Sequence, residues 1–354
     1  MNGRRDKTLS ECWPRTCTIV TLTICLLSVS PPGSAVRSQV RPDIGPTEVT
    51  VLRDLQYASY QFGGVSKKLL LDLYLPQRTE QPSPLIIFLH GGGWFEGRKD
   101  TCPGRSFAAR GYAVACVGYR LANHTAGCPK ELSFPAQVHD VKAAVRWLRK
   151  HAGKYGINPN RFGTLGASSG GHLAVLLGVS PGVADLEGTE NLGVSDEVQA
   201  VADWFAPVDV TRGPPIVFND NPCSTSIATL ISKYGGESTP YFYWTLAWAT
   251  FLGGSLADPP VLKRAPRASP LTYIDSGDPP FLVIHGEGDN MVPINQSELL
   301  VAALRNAGVG VTFVRLPGVG HGFAGSPGSG REVDPAFFEP TIKFFDGRLR
   351  KLMR

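Results

Sequence analysis

The feature of this sequence that most constrains its fold is a serine enclosed by small residues, Gly166-Ala167-Ser168-Ser169-Gly170. The pentapeptide lies between a strand-like run, Arg161–Ala167, and a helix-like run, Ser169–Val179. In so tight a turn, side chains two positions before and after Ser168 would collide with neighbouring backbone, which explains the glycines. Such a strand-to-helix turn presents the serine hydroxyl at the top of a sheet, beside a helix N-terminus. We therefore predict that Ser168 is a nucleophile; the alternative is an ordinary serine in a glycine-rich turn.

A glycine-rich loop precedes this turn in the chain. His90-Gly91-Gly92-Gly93-Trp94 ends a continuously apolar, strand-like run. Consecutive glycines let backbone N–H groups converge on one point, as in an oxyanion hole completed by the N–H of the residue after the nucleophile. The predicted donors are Gly92, Gly93 and Ser169. Trp94 either lines an acyl pocket or packs in the core, and the loop lacks the lysine that a phosphate-binding loop requires.

A serine hydroxyl is a weak nucleophile near neutral pH, so it needs a base and an acid that orients the base. HGEGD at residues 285–289 follows one strand-like run, and GHGF at 320–323 follows the next. With Ser168, these motifs supply the chain order serine, acid, histidine. Asp289 is the predicted acid and His321 the predicted base, with Glu287 as the alternative acid. No two of the seven histidines have the spacing of a metal site, so neither a metal nor a cofactor is expected.

Strand-like and helix-like runs alternate along most of the chain. The strand-like runs are Val49–Tyr57, Leu69–Leu75, Leu85–His90, Tyr112–Tyr119, Arg161–Ala167, Val198–Phe205, Phe281–His285 and Val311–Leu316. The helix-like runs are Pro135–Tyr155, Ser169–Val179, Gln296–Ala307 and Pro335–Lys351. This alternation predicts an α/β fold, a mostly parallel sheet with helices on both faces. Such sheets place their sites at the carboxyl ends of the strands.

One stretch, residues 211–268, interrupts the alternation. It has no clean strand pattern but many aromatic residues: Phe218, Tyr241, Phe242, Tyr243, Trp244, Trp248 and Phe251. We predict a cap that covers the site, inserted in a single catalytic domain of residues 49–354. For about half of these aromatics, packing against the core is an equally good interpretation.

The N-terminus has the pattern of an export signal. A basic start leads to the apolar run Thr18–Val29, and small residues near Ala35 suit a cleavage site after that residue. The run is shorter than the roughly 20 apolar residues of a membrane span. We predict a signal peptide over 1–35, a linker over 36–48 and a secreted or periplasmic protein without a stable membrane span; an uncleaved anchor is the alternative. The net charge of +5 includes no basic cluster, so no nucleic-acid partner is expected.

Four of the seven cysteines lie outside the predicted signal. Cys102, Cys128 and Cys223 occur in loop-like sequence and are candidates for one disulfide, in a pairing that the sequence leaves open. Cys116 lies in an apolar strand-like run, which favours a buried free thiol. No C-x-x-C pair supports a zinc or redox site.

Several motifs together resemble a known family. HGGGW at 90–94, YRL at 119–121, GASSGGHLA at 166–174, HGEGD and GHGF resemble those of hormone-sensitive-lipase-type esterases of the α/β-hydrolase fold. The segments at 135–149 and 203–209 are more similar to a bacterial branch that includes feruloyl- and acetylxylan-esterase-like proteins. The resemblance extends from about Val49 to Leu349. It implies hydrolysis of carboxylic esters through an acyl-enzyme, without a cofactor.

Two departures from the family pattern lie where substrate selectivity is decided. Ala122-Asn123 follows the YRL motif, and the segment from about Ile216 to Ser255 is longer than in the bacterial branch. The expected substrate is a small-molecule or carbohydrate-linked ester, with acetyl and feruloyl esters of carbohydrates both open, and the oligomeric state is undetermined. The alternatives are another acyl hydrolase on this fold, a prolyl-oligopeptidase-type peptidase, which would carry a propeller domain, and a non-catalytic binding module, which would lack part of the triad.

Overall fold

The computed structural model describes residues 48–77, 80–213, 219–234, 240–322 and 333–350. The predicted signal peptide (1–35) and the predicted linker up to residue 47 lie outside these ranges, as do Phe218 and Phe323. The described residues build one sheet of eight strands. The strands are β1 (Thr50–Phe62), β2 (Val65–Leu75), β3 (Ser83–Leu89), β4 (Ala113–Val117), β5 (Ile157–Ala167), β6 (Ala200–Trp204), β7 (Phe281–Gly286) and β8 (Val311–Leu316).

The strands lie in the order β1-β2-β4-β3-β5-β6-β7-β8. β2 pairs antiparallel with both β1 and β4, and every other neighbouring pair is parallel. The prediction of a mostly parallel sheet is confirmed. β5, which precedes Ser168, lies between β3 and β6 near the centre.

Helices occupy the connections between strands. They are α1 (Gly104–Ala108), α2 (Ala136–Lys150), α3 (Ala152–Tyr155), α4 (Ser169–Val179), α5 (Ile227–Tyr234), α6 (Pro240–Leu252), α7 (Pro259–Leu262), α8 (Ala265–Ala268), α9 (Asn295–Asn306) and α10 (Pro335–Phe345). Short 3-10 turns occur at Lys99–Thr101, Lys130–Leu132, Ala184–Leu186, Val210–Arg212 and Pro270–Thr272, and a π-helical turn at Asp346–Arg350. Within the described ranges, no helix is long and apolar enough to cross a membrane.

The sheet is buried on both faces, as alternate residues of β3 show. Leu85, Ile87 and Leu89 pack in one apolar cluster, together with side chains of α2, α4 and α9. Ile86 and Phe88 pack in another, with side chains of α1 and α10. Because successive side chains of a strand point to opposite faces, the continuous apolar run of β3 supplies two cores at once.

Several element boundaries differ from the sequence-based prediction. β1 continues to Phe62 and β2 begins at Val65, because the strands form a long hairpin through Gly63-Gly64. The added part of β2 is exposed and polar, so it carries no apolar pattern. At the other end of the chain, α10 stops at Phe345 instead of continuing to Lys351, and the π-helical turn follows it.

The structure corrects the interpretation of the cysteines. Cys116 is buried on β4 as expected, but it is not a free thiol, because it forms a disulfide with Cys102. The second disulfide joins Cys128 and Cys223 and so ties residues 211–268 to the loop after β4. Cys102 lies only 14 residues before Cys116, with a Cα–Cα distance of 5.8 Å.

Candidate active site

The turn between β5 and α4 is held in a conformation that only small neighbours permit. Ser168 has φ 55° and ψ −125°, outside the regions that ordinary residues favour. A Cβ on Gly166 would lie 2.1 Å from the carbonyl oxygen of Gly170, and one on Gly170 would lie 2.2 Å from that of Leu89. The N–H of Ser168 donates to the carbonyl of Trp204 at 2.8 Å, which fixes the turn to β6.

The structure brings together the three residues predicted from chain order. The Nε2 atom of His321 lies 3.1 Å from the Oγ atom of Ser168, and its Nδ1 atom lies 2.7 Å from the Oδ2 atom of Asp289. Because a carboxylate can only accept, Nδ1 carries the proton. The lone pair on Nε2 of the neutral ring therefore faces the serine hydroxyl.

Asp289 has a hydrogen-bond donor on both carboxylate oxygens. The backbone N–H groups of Met291 and Val292 each donate to Oδ1 at 2.9 Å. His285 and His321 contact Oδ2 at 3.2 and 2.7 Å. Burial by itself raises the pKa of this carboxyl, but the hydrogen bonds from His285 and His321 and the backbone donors outweigh it and lower the pKa to about 2. Asp289 is therefore ionised at neutral pH.

Glu287, the alternative acid, lies elsewhere. Its carboxylate accepts a hydrogen bond from the Nε atom of Arg315 at 2.8 Å, and its side chain is 39% exposed. The loop after β7 thus turns Glu287 toward solvent and Asp289 toward His321.

The glycine loop lies directly against the serine turn. A Cβ on Gly91 would lie 3.3 Å from the Cβ of Ser168, so only a glycine lets the loop approach so closely. Gly92 and Gly93 have φ values of 114° and 56°, which favour glycine. Among the described residues, none accepts a hydrogen bond from the N–H of Gly92, Gly93 or Ser169. These donors remain available to a ligand oxygen.

Trp94 lies both in the core and beside Ser168. It is 1% exposed, its ring stacks on Phe251 at 4.3 Å, and its Nε1 atom donates to the Nδ1 atom of His172 at 3.3 Å. His172 in turn contacts the carbonyl of Ala268 through Nε2 at 2.7 Å. Trp94 therefore packs in the core, as one interpretation of the sequence expected, and it also lines a cavity beside Ser168.

A small cavity of about 20 Å³ adjoins Ser168. Its lining comes from the glycine loop, the serine turn, α6 and the loops after β6, β7 and β8: Gly93, Trp94, Ser168, Ser169, Pro207, Tyr243, Trp244, Ala247, Trp248, Met291, Val292 and His321. The hydroxyl of Tyr243 donates to the Oε1 atom of Glu96 at 2.9 Å and thereby fixes α6 to the glycine loop. Part of the stretch 211–268 thus borders Ser168.

Sequence reasoning gave no role to Asp203, which appeared there only within a family-like segment. Asp203 is buried at the end of β6, and its Oδ1 atom accepts from the N–H of Ala206 at 2.9 Å. The turn that it holds contains Phe205, with φ 48°, whose ring packs edge-on against His321 at 4.9 Å. Its Oδ2 atom has no hydrogen-bond partner within the described part of the chain. Burial raises the pKa of Asp203 to about 8, against the smaller opposing effect of the Ala206 N–H.

Comparison with known proteins identifies the family of this chain. The family model BD-FAE matches residues 71–304, which is more than half of the chain and includes Ser168 and Asp289. The chain belongs to the BD-FAE family. The α/β-hydrolase fold predicted from the motifs is confirmed, as is membership of a group of carboxylic ester hydrolases.

Several of the similar proteins carry esterase names. Esterase LipC of Mycobacterium tuberculosis is 28% identical over 83% of this chain and 67% of its own length, and Esterase LipQ of the same organism is 30% identical over 76% and 57%. The chain thus spans about half to two thirds of the curated relatives that it matches. A truncated carbohydrate esterase from gut microbiota is 29% identical, with a TM-score of 0.62, and covers 86% of this chain and 98% of its own. A bifunctional GH43-CE protein of Bacteroides eggerthii is 31% identical, with a TM-score of 0.64, over 84% of this BD-FAE chain and 35% of the other.

The raised pKa of Asp203 predicts how the stability of the protein depends on pH. The folded protein keeps the proton up to about pH 8, whereas the unfolded chain releases it near pH 3.8. Wild-type stability from this group is therefore complete below about pH 4 and is lost as pH rises toward about 8. Asp203→Asn, which cannot ionise, should gain stability relative to wild type between pH 5 and 9. The free energy of urea unfolding, measured at pH 5 and pH 9, tests this, with Asp185→Asn at an exposed position as the control. A stability difference that does not change with pH would show that Asp203 is already ionised in the fold.

Proposed function

We propose that this chain is a serine carboxylesterase in which Ser168 attacks the ester carbonyl, His321 is the general base and Asp289 orients His321. The observation that carries the proposal is the continuous contact from Ser168 through His321 to Asp289, at 3.1 and 2.7 Å. The first distance is within the range in which a base can take a proton, and the second is a hydrogen bond that orients the base.

The geometry assigns a role to each of the three side chains. His321 accepts the hydroxyl proton of Ser168 through Nε2 as the Oγ–carbon bond forms. The negative charge of Asp289 stabilises the resulting imidazolium, which then protonates the leaving alcohol. Water, deprotonated by His321, attacks the acyl-enzyme and releases the acid, and Ser168 recovers its proton.

The negative charge of the tetrahedral intermediate forms on the carbonyl oxygen. The N–H groups of Gly92, Gly93 and Ser169, which have no acceptor among the described residues, are proposed to receive it. Each such donor contributes on the order of 10²–10³ in rate when it is in place before the reaction. The N-terminus of α4 adds a favourable dipole at the same point.

Paired carboxyl variants test the triad. Asp289→Asn should lower kcat for p-nitrophenyl acetate by about 10⁴, because His321 loses its negative partner and correct tautomer. Glu287→Gln is the matched control, since it alters the other carboxyl of the same loop, and it should keep wild-type kcat. Ser168→Ala should lose both turnover and labelling by a fluorophosphonate probe.

Thermal unfolding of all three variants separates chemistry from folding. Turnover retained by folded Ser168→Ala, or a loss in Glu287→Gln as large as that in Asp289→Asn, contradicts the assignment.

The cavity next to Ser168 favours the acetyl group among the acyl groups that the sequence left open. Ser168 carries the acyl group between the two half-reactions, so this group must fit the space beside the serine, whereas the alcohol departs after the first. The described lining leaves about 20 Å³ there, which accommodates a methyl group more readily than the propyl chain of a butyryl group or a feruloyl ring. The similarity to a carbohydrate esterase supports a sugar as the alcohol. We therefore propose acetylated carbohydrates as the substrate class.

An acyl series tests the acyl preference. Each methylene that does not fit an apolar pocket costs about 10–200-fold. The wild-type kcat/KM should therefore fall by at least about tenfold from p-nitrophenyl acetate to the butyrate, and methyl ferulate should react more slowly than either. Met291→Ala, which enlarges the cavity, should raise the butyrate-to-acetate ratio, whereas Leu262→Ala on the exposed surface of residues 211–268 should not. Equal rates on acetate and butyrate in the wild type would exclude the acetyl preference.

We also propose that the protein is exported from the cytoplasm. Two disulfides within the described residues are consistent with an oxidising compartment, as expected for a secreted or periplasmic protein. Expressed with residues 1–35 in a bacterium with a secretory pathway, the protein should leave the cytoplasm and begin at Val36. N-terminal sequencing measures this, with Leu26→Arg, which interrupts the apolar run, as the export-defective control. Cytoplasmic protein that retains its N-terminus would contradict both the signal and the cleavage site.

A further inference from the structure

A second histidine lies behind the acid of the proposed triad. His285, at the end of β7, is fully buried, and its Nε2 atom lies 3.2 Å from the Oδ2 atom of Asp289. That oxygen is also the acceptor for His321. The Nε2 atom of His285 also lies 2.9 Å from the carbonyl oxygen of Val292, and its Nδ1 atom lies 2.7 Å from the hydroxyl of Ser297.

These partners determine where His285 carries its proton. The carboxylate of Asp289 and the carbonyl of Val292 can only accept, so the N–H must be at Nε2. The Nδ1 atom then accepts from the hydroxyl of Ser297, which is itself fully buried in the first turn of α9. Ser297 therefore holds one tautomer and one ring orientation.

Few other charged groups act on this histidine. Arg315 pairs with His285 in the register of β7 and β8, but its guanidinium bonds to Glu287 and Glu298 at the surface. Phe205, from the turn after β6, packs edge-on against the ring of His285 at 6.2 Å. Among the described residues, Asp289 is thus the charged group in contact with His285.

We propose that His285, held by Ser297, is a positioning residue that orients the Oδ2 atom of Asp289 toward His321 and shares the charge of that oxygen with His321. The inference rests on the proposed triad. Two backbone N–H groups hold Oδ1, and the His285 N–H, which Val292 shares, contacts the other oxygen, so that rotation of the carboxylate about its bond to Cβ would break these contacts. Since Oδ2 is shared, each donor on it withdraws charge that would otherwise stabilise the His321 cation.

The two effects predict a change in pH dependence as well as in rate. Without the His285 N–H, more negative charge remains on Oδ2 and the His321 imidazolium is more stable. The pH below which kcat/KM falls reports the protonation of the base in the free enzyme. The pH below which kcat/KM falls should therefore rise, by about half a pH unit to one unit. Looser orientation of Asp289 should also lower kcat by about tenfold.

The experiment compares His285→Leu, which removes the donor, with His285→Gln, whose amide can donate from a similar position. The kcat and kcat/KM of p-nitrophenyl acetate hydrolysis are measured from pH 4.5 to 9 on the full chain. His285→Leu should shift the pH profile upward and lower kcat, and His285→Gln should bring both quantities back toward their wild-type values. Ser297→Ala, which keeps His285 but releases its ring, should shift the profile in the same direction by less, and it serves as the test if the Leu variant does not fold.

The downfield proton resonance of the Asp289–His321 hydrogen bond gives a second readout. It should move in His285→Leu and return toward its wild-type position in His285→Gln. A folded Leu or Ser297→Ala variant with the wild-type pH profile and kcat would overturn the proposal. The proposal would also be overturned if His285→Leu lowers kcat without shifting the pH profile and His285→Gln lowers kcat equally. These results are distinct from a failure of the triad, which Ser168→Ala and Asp289→Asn report independently.

Discussion

The backbone of Ser168 is held in a left-handed conformation that costs on the order of 1–3 kcal/mol, and the surrounding structure is what makes it persist. Every residue of α4 is buried, and β5 is hydrogen-bonded on both sides, so neither end of the turn can relax. Because β3 and β6 flank β5, the glycine loop after β3 and the Phe205 turn after β6 both reach Ser168. The position of β5 in the sheet thus determines which loops surround the serine.

Two buried carboxyl groups at the carboxyl ends of the strands have pKa values shifted in opposite directions. Asp289 has donors on both oxygens, and its pKa is lowered to about 2 despite burial. Asp203 has one backbone donor, and burial raises its pKa to about 8. The difference arises from the number of donors, since both side chains are removed from water. One carboxylate is kept charged to face His321, and the other carboxyl is kept neutral to hold the turn that supports His321.

The cavity beside Ser168 depends on α6, which packs against the glycine loop. Trp244, Ala247 and Trp248 form its apolar wall, and the hydrogen bond from Tyr243 to Glu96 fixes that wall to the loop of the proposed oxyanion hole. The volume of this cavity is therefore determined in part by side chains more than 70 residues from Ser168 in the chain. Under the proposed function, acyl selectivity can change here without any change in Ser168, His321 or Asp289.

The local sequence determined the turn at Ser168, the glycine loop and the approximate positions of the eight strands, because tight turns need glycine and the central strands, which are covered on both faces, need continuous apolar runs. It did not determine side-chain partners between distant segments. Cys116 fits an apolar strand equally well as a free thiol or a disulfide, and the HGEGD motif contains two acids that only the path of the loop after β7 separates. The contact of His285 with Asp289 and Ser297 has no sequence signal beyond a histidine at a strand end. Local conformation is encoded by neighbours in the chain, whereas these contacts, and the size of the cavity, were decided only when the elements packed together.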